Sequence, residues 1–539
     1  MSGLFSTIFL ESNPIFLLAS VCCIVDHSSN AYCLDSMEII CHVVPYLRDP
    51  FDYRNGGTGT EIPGPLIAKL SDFWLSRKAV LGDRSREVHK VHQKYDSAHR
   101  ANHISVADPA AIQIIYAHGN GSLKTDFYDA FVTIHRGLFN TRDRAEHARK
   151  RKIVSSIFSQ KNVLGFEPHI RAAVALLFKK WDDFYDTAVI RKEVTHEGCF
   201  QGRDCRFNYL AFDIIGDLAF GTPFGMLEAG RDAAPVLAPG ETPDKTRHLP
   251  AIEILNDRGT YSASLGVTPV WSRPLVKRLP WFARGCRAVD DLVGVAVAAV
   301  EKRIQEPSDR TDLLARLQQA RDAEGKPMGR AELTAELLTQ LIAGSDSTAN
   351  ASCIITFYLA LNPDVQHKLQ AELDEALGPT IITDSHKNAT ANCELAVAPY
   401  DIVKSLPYLE ACIYEALRVH PPSGIGLPRA APAGGLMVAG RYYKEGSILS
   451  VPTSPFIAIR MPERWFERDA ETMYKGFNAF SWGPRACVGR NLAHAELAII
   501  IASIFKRYDV VLENPAMTTL EGFLRKPLSC RVGMKRREA

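Results

Sequence analysis

The strongest constraint on this chain is a loop that carries one cysteine and is followed by an apolar helical run. The loop, Phe480 to Gly489, reads FSWGPRACVG, and the helical run extends from Arg490 to about Arg507. Its two glycines and its proline favour a tight turn that brings Cys487 to the start of the helix. The free N–H groups and the positive dipole end at that position favour a thiolate. The pattern predicts a ligand-binding cysteine, and the competing interpretation is a buried structural one.

The residues around the cysteine narrow this choice. Gly489 leaves room for a flat ligand, Gly483 permits the turn, and Arg485 could pair with a carboxylate on that ligand. With Phe480 ahead of the cysteine, the spacing resembles the haem-binding loop of the cytochrome P-450 monooxygenases. The resemblance implies that Cys487 is the axial ligand of a haem b (iron protoporphyrin IX), and that its thiolate favours O–O cleavage. It also implies that Phe480, Arg485 and Gly489 contact the haem.

Composition and charge exclude several classes of protein. The 539 residues are 46% hydrophobic and 23% charged, which is enough apolar material for a large core. A formal net charge of +2 gives no reason to expect nucleic acid as a partner. The twelve cysteines show neither CxxC pairs nor Cys/His zinc spacing, so we expect reduced thiols in a protein facing the cytosol.

The N-terminal region differs from the rest of the chain. The 12-residue apolar run from Pro14 to Val25 is shorter than the roughly 20 residues that span a bilayer, and a signal peptide is the competing interpretation. Eukaryotic relatives carry a membrane anchor and a proline-rich hinge, which Ile62–Pro65 resembles. The resemblance implies an anchor and hinge in residues 1–60 and a single haem domain in 61–539. It also implies the endoplasmic reticulum membrane, with the catalytic domain facing the cytosol.

A basic stretch in the first third of the chain predicts a helix. Asp143 with Glu146 three residues later resembles a capping box, and His147 and Arg151 then fall on one helical face. A solvated basic face is the competing interpretation. The resemblance implies instead that His147 and Arg151 hold a haem propionate. Three further basic residues either help to dock a reductase or are simply solvated: Arg149, Lys150 and Lys152.

A long helix is predicted from Arg330 towards Leu361, and the segment AGSDST (343–348) lies within it. Small and hydroxyl residues here suit either a packing contact or a dent lined by polar groups. The segment resembles the oxygen-binding helix of the family. The resemblance implies that Gly344 adjoins the haem and that Asp346 and a hydroxyl deliver protons during oxygen activation. The usual threonine is replaced by Ser347, and Thr348 follows it, so we expect more peroxide leakage.

Charged motifs recur in the last quarter of the chain. Glu415 and Arg418 form an i, i+3 pair that would stabilise an exposed helix by only a few tenths of a kcal/mol. In the family this pair is buried with an arginine from a Pro-Glu-Arg-Trp segment, which implies a structural network with Arg464. The resemblance also implies that Arg429 reaches the second propionate.

One departure from the family bears on this network. Residues 457–462 join the preceding strand almost directly to the Pro-Glu-Arg-Trp segment, where relatives insert a polar loop. A natural deletion and a mis-assigned intron or lost exon both remain open. The short connection leaves the placement of Arg464 open as well, and a catalytically impaired haem protein is one alternative.

The resemblance extends over roughly residues 59–536, beyond the haem motifs. Stretches such as Gly119–Phe158 and the apolar run Phe207–Phe224 resemble the fungal benzoate para-hydroxylases. The fold implied is mainly α with a small β region, in one haem domain. The reaction implied is insertion of one oxygen atom from O2 into a C–H bond of a small aromatic carboxylate, with benzoate giving 4-hydroxybenzoate. Another small aromatic substrate is the alternative.

The electron donor is expected to be a separate protein. No dinucleotide-binding fingerprint or flavin domain is visible, so the resemblance implies an NADPH–cytochrome reductase as partner. A haem-thiolate isomerase or dehydratase needs no proton relay, and the constellation of Asp346, Ser347 and Thr348 argues against that class.

Overall fold

The structure is a computed structural model of the chain. It describes Pro65, Ala68 and residues 73–95, 97–100, 103–190, 207–306, 312–321, 325–378, 397–453, 461–467, 470–528 and 530–537. The predicted N-terminal anchor and residues 454–460 before the Pro-Glu-Arg-Trp segment lie outside these ranges. In the part of the chain that is described, no helix combines the length and the apolar character that crossing a membrane requires.

Helices dominate the described part of the chain, as the fold prediction required. In the first half they are α1 (Phe73–Val80), α2 (Arg84–Tyr95), α3 (Ala111–Tyr116), α4 (Arg144–Ile157), α5 (Gln160–Leu164), α6 (Glu167–Ile190), α7 (Phe207–Phe220), α8 (Met226–Ala229) and α9 (Ala251–Gly266). In the second half they are α10 (Arg273–Val276), α11 (Pro280–Gln305), α12 (Leu313–Gln319), α13 (Arg330–Leu361), α14 (Pro363–Leu377), α15 (Tyr400–Val403), α16 (Pro407–Val419), α17 (Ala470–Gly476) and α18 (Arg490–Arg507). Short 3-10 turns cover Asp126–Phe131, Pro243–Lys245, Val270–Ser272, Pro462–Phe466 and Gly483–Arg485.

The strands are short and form small sheets. They are β1 (Ser97–Arg100), β2 (His103–Val106), β3 (Leu123–Lys124), β4 (Ala234–Val236), β5 (Arg247–Leu249), β6 (Arg429–Ala430), β7 (Leu436–Val438), β8 (Arg441–Tyr443), β9 (Ile448–Ser450), β10 (Tyr508–Leu512), β11 (Thr519–Glu521), β12 (Arg525–Pro527) and β13 (Val532–Arg536). One five-stranded sheet has the order β1-β2-β9-β6-β3, in which only the β2–β9 pair is parallel. The remaining strands pair as antiparallel hairpins or ribbons: β4-β5, β7-β8, β10-β13 and β11-β12.

The core is built around α13, the long helix that the sequence predicted. The apolar helix α7 packs along it, and twelve of the fourteen residues of α7 are buried. Helices α16 and α18 also pack against α13. Because helices surround α13 on several sides, most of its length must be apolar or small, and its polar residues need partners inside the protein.

The region from Ala229 to Pro250 is rich in proline and aspartate, but it contains a short antiparallel pair, β4 and β5. Val236 is buried against Gly294 of α11, and the N–H of Leu237 donates to the carbonyl of Gly294 at 3.0 Å. This tertiary contact overrides the local preference for a loop.

Candidate active site

The cysteine loop forms the tight turn that its sequence predicts. Gly483 has a φ of +68°, and a β-carbon there would lie 2.0 Å from the carbonyl oxygen of Tyr116. Only glycine therefore fits at this position. The N–H of Cys487 donates to the carbonyl of Phe480 at 2.8 Å, which closes the loop just before α18 begins at Arg490.

Cys487 faces an internal gap. Its side chain has exposed surface, yet it is surrounded by protein, and this burial raises the pKa of the thiol. A backbone hydrogen bond from Gly489 and the charges of Arg490 and Arg151 act in the opposite direction and favour the thiolate. A β-carbon at Gly489 would meet no described atom within 4 Å, so the space beside it is open to a ligand.

A second wall of accessible residues lies on α13. From Leu341 to Phe357 every residue of this helix is buried except Ile342, Ala343, Gly344 and Ser347. Ala343 and Ser347 are four residues apart on one face, and the Ser347 hydroxyl donates to the carbonyl of Ala343 at 2.5 Å. Ala343 and Ser347 therefore form an accessible strip on a helix that is otherwise largely buried in this stretch.

The hydroxyl of Thr348 points elsewhere. Its Oγ1 lies 2.9 Å from Oε2 of Glu496, a buried residue of α18. Burial raises the pKa of Glu496 to about 8, so this carboxyl is largely protonated at neutral pH. The bond ties α13 to the helix that follows the cysteine. The two adjacent hydroxyls, both candidates from the sequence, thus have different surroundings.

Asp346 lies on a third side of the helix. Its Oδ2 is 2.8 Å from Nζ of Lys526, and its Oδ1 accepts a hydrogen bond from the Asn350 amide at 3.2 Å. Lys526 belongs to β12, far from Asp346 in the chain. No motif in the sequence indicates that the two residues pair. The acid is therefore held by an ion pair rather than standing free beside Ser347.

The missing side chain of Gly344 has a packing explanation. A β-carbon there would lie 2.8 Å from Cδ1 of Ile215 on α7. The close approach of α7 and α13 therefore requires glycine, and the predicted contact of Gly344 with a haem stays a prediction.

A cluster of cationic side chains lies next to the cysteine loop. Arg151 donates to the carbonyl of Ala486 at 2.6 Å, and Arg485 donates to the carbonyl of Thr141 at 2.6 Å. His147, on the same helix as Arg151, is buried. The N-cap Asp143 accepts a hydrogen bond from the N–H of Glu146 at 2.8 Å, as the capping prediction required. We call the following five residues the cationic cluster: Lys124, His147, Arg151, Arg429 and Arg485.

Arg429 was predicted from a family motif, whereas its neighbours Lys124 and Tyr128 come from outside the predicted motifs. Arg429 is 3% exposed and donates through Nη1 to the hydroxyl of Tyr128 at 2.6 Å, whereas its Nη2 is buried without a hydrogen-bond partner. Lys124 is bonded to the carbonyl of Phe139, and its ammonium lies 4.4 Å from the ring centre of Tyr128. No motif in the sequence marks Lys124 or Tyr128.

The electrostatics show that the cationic cluster lacks counter-charges. Burial, followed by repulsion from the other cations, lowers the pKa of His147 to about 3, that of Arg485 to about 10 and that of Lys124 well below its usual range. None of the charged groups that shift these pKa values most strongly is an aspartate or glutamate. The unpaired guanidinium nitrogen of Arg429, buried near other cationic side chains, favours a ligand that carries negative charge.

The profile of the cytochrome P-450 family matches residues 73–534 of the chain. The chain belongs to this family. It is 42% identical over 530 residues to benzoate 4-monooxygenase bphA of Aspergillus niger, with 94% of this chain and 97% of that protein covered. It is 26% identical over 488 residues to the cytochrome P-450 monooxygenase cicH of Emericella nidulans, with 85% and 89% covered. It is 29% identical over 504 residues to the monooxygenase mpaDE' of Penicillium brevicompactum, of which 54% is covered.

The side chains of this cytochrome P-450 fit the family's haem. Cys487 supplies a sulfur that faces the gap, and the arginines of the cationic cluster supply the positive charge that two propionates would neutralise. When bound, the haem activates O2 and transfers one oxygen atom to a C–H bond, with electrons delivered by a reductase. Cys487 would then hold the iron, and Arg151, Arg429 and Arg485 would position the propionates.

Glu415 is the centre of a network of charged side chains in this P-450. Glu415 is 4% exposed and pairs with Arg418 through two hydrogen bonds of 2.8 Å. Arg464 lies 3.3 Å from the same carboxylate, and Trp465 donates to it at 3.3 Å. The structure therefore brings together the three predicted charges although the connection before Pro462 is short.

One expectation about reductase docking was wrong. Lys150 is fully buried rather than solvated, because it pairs with Glu332 and lies 3.5 Å from Glu336. Arg149 is paired with Glu146 and Glu332 as well. These cations join α4 to α13, so among the three basic residues Lys152 alone is exposed and available to a partner protein.

Proposed function

We propose that this P-450 hydroxylates benzoate at its para position to give 4-hydroxybenzoate, with electrons from NADPH delivered through a separate reductase. The observation that carries the proposal is the likeness to benzoate 4-monooxygenase of Aspergillus niger, which spans nearly the whole of both chains. A small planar anion needs an apolar pocket with a polar or cationic end, because a buried carboxylate without a partner is costly. The protein contains such a cavity beside Asp346.

Each group of residues around the gap has a separate role in this proposal. The cationic cluster fixes the propionates, and the Cys487 loop fixes the sulfur. Ser347 holds its proton on Oγ at the accessible face of α13, while the neighbouring carboxylate of Asp346 is kept in place by Lys526 and Asn350.

The test of this function is turnover by the reconstituted holoenzyme. Purified full-length protein loaded with haem is incubated with a reductase, NADPH and benzoate, and the products are separated by chromatography against the three hydroxybenzoate standards. We expect 4-hydroxybenzoate, formed in proportion to NADPH consumed. Hydroxylation at another ring position, or turnover of a different aromatic while benzoate is ignored, would contradict the proposal.

A prediction about the proton supply follows from the two hydroxyls of α13. Ser347→Ala should lower the product formed per NADPH by about tenfold and release peroxide instead, because it removes the hydroxyl on the accessible face. Thr348→Ala should leave coupling nearly unchanged, since that hydroxyl faces Glu496. Peroxide and product are measured in the same reaction. Equal uncoupling in both variants, or a larger effect in Thr348→Ala, would show that the assignment is wrong.

We also propose that residues 1–60 attach the protein to the endoplasmic reticulum membrane, with residues 61–539 facing the cytosol. The apolar run at Pro14–Val25 and the hinge-like Ile62–Pro65 support this proposal. Fractionation of cells that express the full chain, beside a chain lacking residues 1–60, tests it. Equal recovery of both proteins in the soluble fraction would contradict it.

A further inference from the structure

A cavity of about 110 Å³ lies between α9, α13 and the β11–β12 hairpin. Ile342, Asp346 and Asn350 line it from α13, and they occupy the face next to that of Ala343 and Ser347. The cavity therefore adjoins the accessible strip of the oxygen-binding helix. Its walls contain two cations, Lys526 from β12 and Arg258 from α9.

The two cations differ in their partners. Lys526 is neutralised by Asp346 at 2.8 Å and is bonded to the side-chain oxygen of Asn256. Arg258 forms no ion pair with any carboxylate of the described residues. Its Nη2 donates to the carbonyl of Phe131 at 3.2 Å, and its guanidinium lies 5.3 Å from the centre of the Phe131 ring.

Arg258 is also deeply buried. Its side chain is 6% exposed, and its Nε is enclosed without a hydrogen-bond partner. Burial lowers the pKa of this arginine to about 10, and no negative group counteracts the effect. Burying this arginine costs free energy, because no group in the described protein compensates for the desolvation of its charge and of its unpaired N–H. A ligand with a negative charge would offset that cost.

The ring of Phe523 lines the cavity together with Arg258, and the rings of Phe131 and Phe139 pack behind it. Phe131 and Phe523 pack edge to face with ring centres 4.9 Å apart, and Phe139 lies 5.5 Å from Phe131. An aromatic ligand in the cavity can pack its own ring edge to face against that of Phe523. The cavity thus combines the guanidinium of Arg258 with the aromatic ring of Phe523, beside the helix that bears Ser347.

We propose that Arg258 is the receptor for the carboxylate of the substrate, and that it selects planar aromatic acids over neutral aromatics. The inference rests on the proposed function and identifies the specificity-determining residue of that site. A guanidinium offers N–H donors in a planar fork that matches the two oxygens of a carboxylate. A neutral analogue leaves Nε–H and the charge unpaired, so discrimination by this residue is strong.

The competing explanation is that Arg258 has a structural role only, holding the turn that contains Phe131. A matched control separates the two explanations. Arg273 is also a buried arginine, 8% exposed, but it is paired with Asp126 at 3.1 Å and with three backbone carbonyls. Loss of Arg273 removes a structural arginine without removing an unpaired cation from the cavity.

The experiment measures equilibrium binding of benzoate and of benzamide, its neutral planar isostere. Holoenzymes carrying Arg258→Gln, Arg258→Lys or Arg273→Gln are titrated alongside the wild-type protein, by the haem absorbance shift and by calorimetry. In Arg258→Gln we expect the Kd for benzoate to rise about 30- to 100-fold, while that for benzamide changes less than about threefold. Arg258→Lys should lose part of the preference, because it keeps the charge but not the fork. Arg273→Gln should keep the wild-type ratio of the two constants.

Each outcome decides one question. An unchanged benzoate-to-benzamide ratio in Arg258→Gln, or equal weakening of both ligands, overturns the role of Arg258. If Arg258→Gln does not fold, the ratio in Arg258→Lys decides, and a ratio equal to wild type overturns the inference. Wild-type protein that makes 4-hydroxybenzoate while the ratio is insensitive to Arg258 leaves the proposed function standing. Wild-type protein that binds benzoate through Arg258 but forms no 4-hydroxybenzoate contradicts the function alone, and binding of no aromatic acid contradicts both.

Discussion

Cys487→Ala is expected to abolish thiolate ligation of the haem and to reduce oxygen insertion to background. This side chain is the only thiol on its loop, and it faces the gap beside Gly489. Alanine keeps the loop closed through the N–H of residue 487, which bonds to the carbonyl of Phe480 without using the side chain. The loss should therefore concern the ligand rather than the fold. The ferrous carbonyl spectrum reports it, because a thiolate ligand shifts the Soret band to the red.

The matched control for this experiment is Cys286→Ala. Cys286 is a partly buried thiol on α11 that lies 3.5 Å from the hydroxyl of Tyr261. Its removal should leave the red-shifted carbonyl band intact. If Cys487→Ala keeps that band, another residue ligates the iron and the assignment of the active site is wrong.

The second large effect is expected from Glu415→Ala, which should lower the free energy of unfolding by about 3–5 kcal/mol. Removing this carboxylate leaves Arg418 and Arg464 near each other without the anion that both share. It also removes the acceptor of the Trp465 indole and of the Met461 N–H. Denaturant unfolding followed by circular dichroism measures the loss, and haem content after purification gives a second measurement.

The control is a glutamate whose ion pair is exposed. Glu471 pairs with Lys475 on α17 at 2.8 Å, and its side chain is 82% exposed. Glu471→Ala should change the free energy of unfolding by less than about 0.5 kcal/mol, since surface pairs of this kind stabilise little. A loss in Glu415→Ala no larger than that of Glu471→Ala would mean that the short connection before Pro462 has left the network without a structural role.

Local patterns were sufficient for the elements that depend on neighbours in the chain. The turn at Gly483 follows from a glycine and a proline beside the cysteine, and the structure shows the left-handed backbone that it needs. The extent of α13 follows from its apolar spacing. The N-cap at Asp143 is equally local, because its carboxylate accepts a hydrogen bond from the N–H of Glu146, three residues later. These features are local, so the residues that determine them stand together in the sequence.

The composition of the candidate site was predictable only where a family motif marked it. The structure places His147 near Arg151, Arg429 and Arg485, and their contact with haem propionates stays a prediction. Lys124, Tyr128 and Lys526 were missed, because a lysine or tyrosine in an unremarkable stretch carries no local signal of what will pack against it. Their roles depend on distant segments, and no spacing within one segment can reveal them.

The sequence by itself determined which residues could ligate iron, turn the chain or form the long helix, because those properties belong to residue types and to short-range spacing. The tertiary structure alone decided that Ser347 lies on an accessible face while Thr348 contacts Glu496. It also decided that Lys150 is fully buried and that Arg258 has no carboxylate partner among the described residues. The physical reason is that burial and pairing set the free energy of a charge or hydroxyl, and both arise only when segments far apart in the chain are packed together.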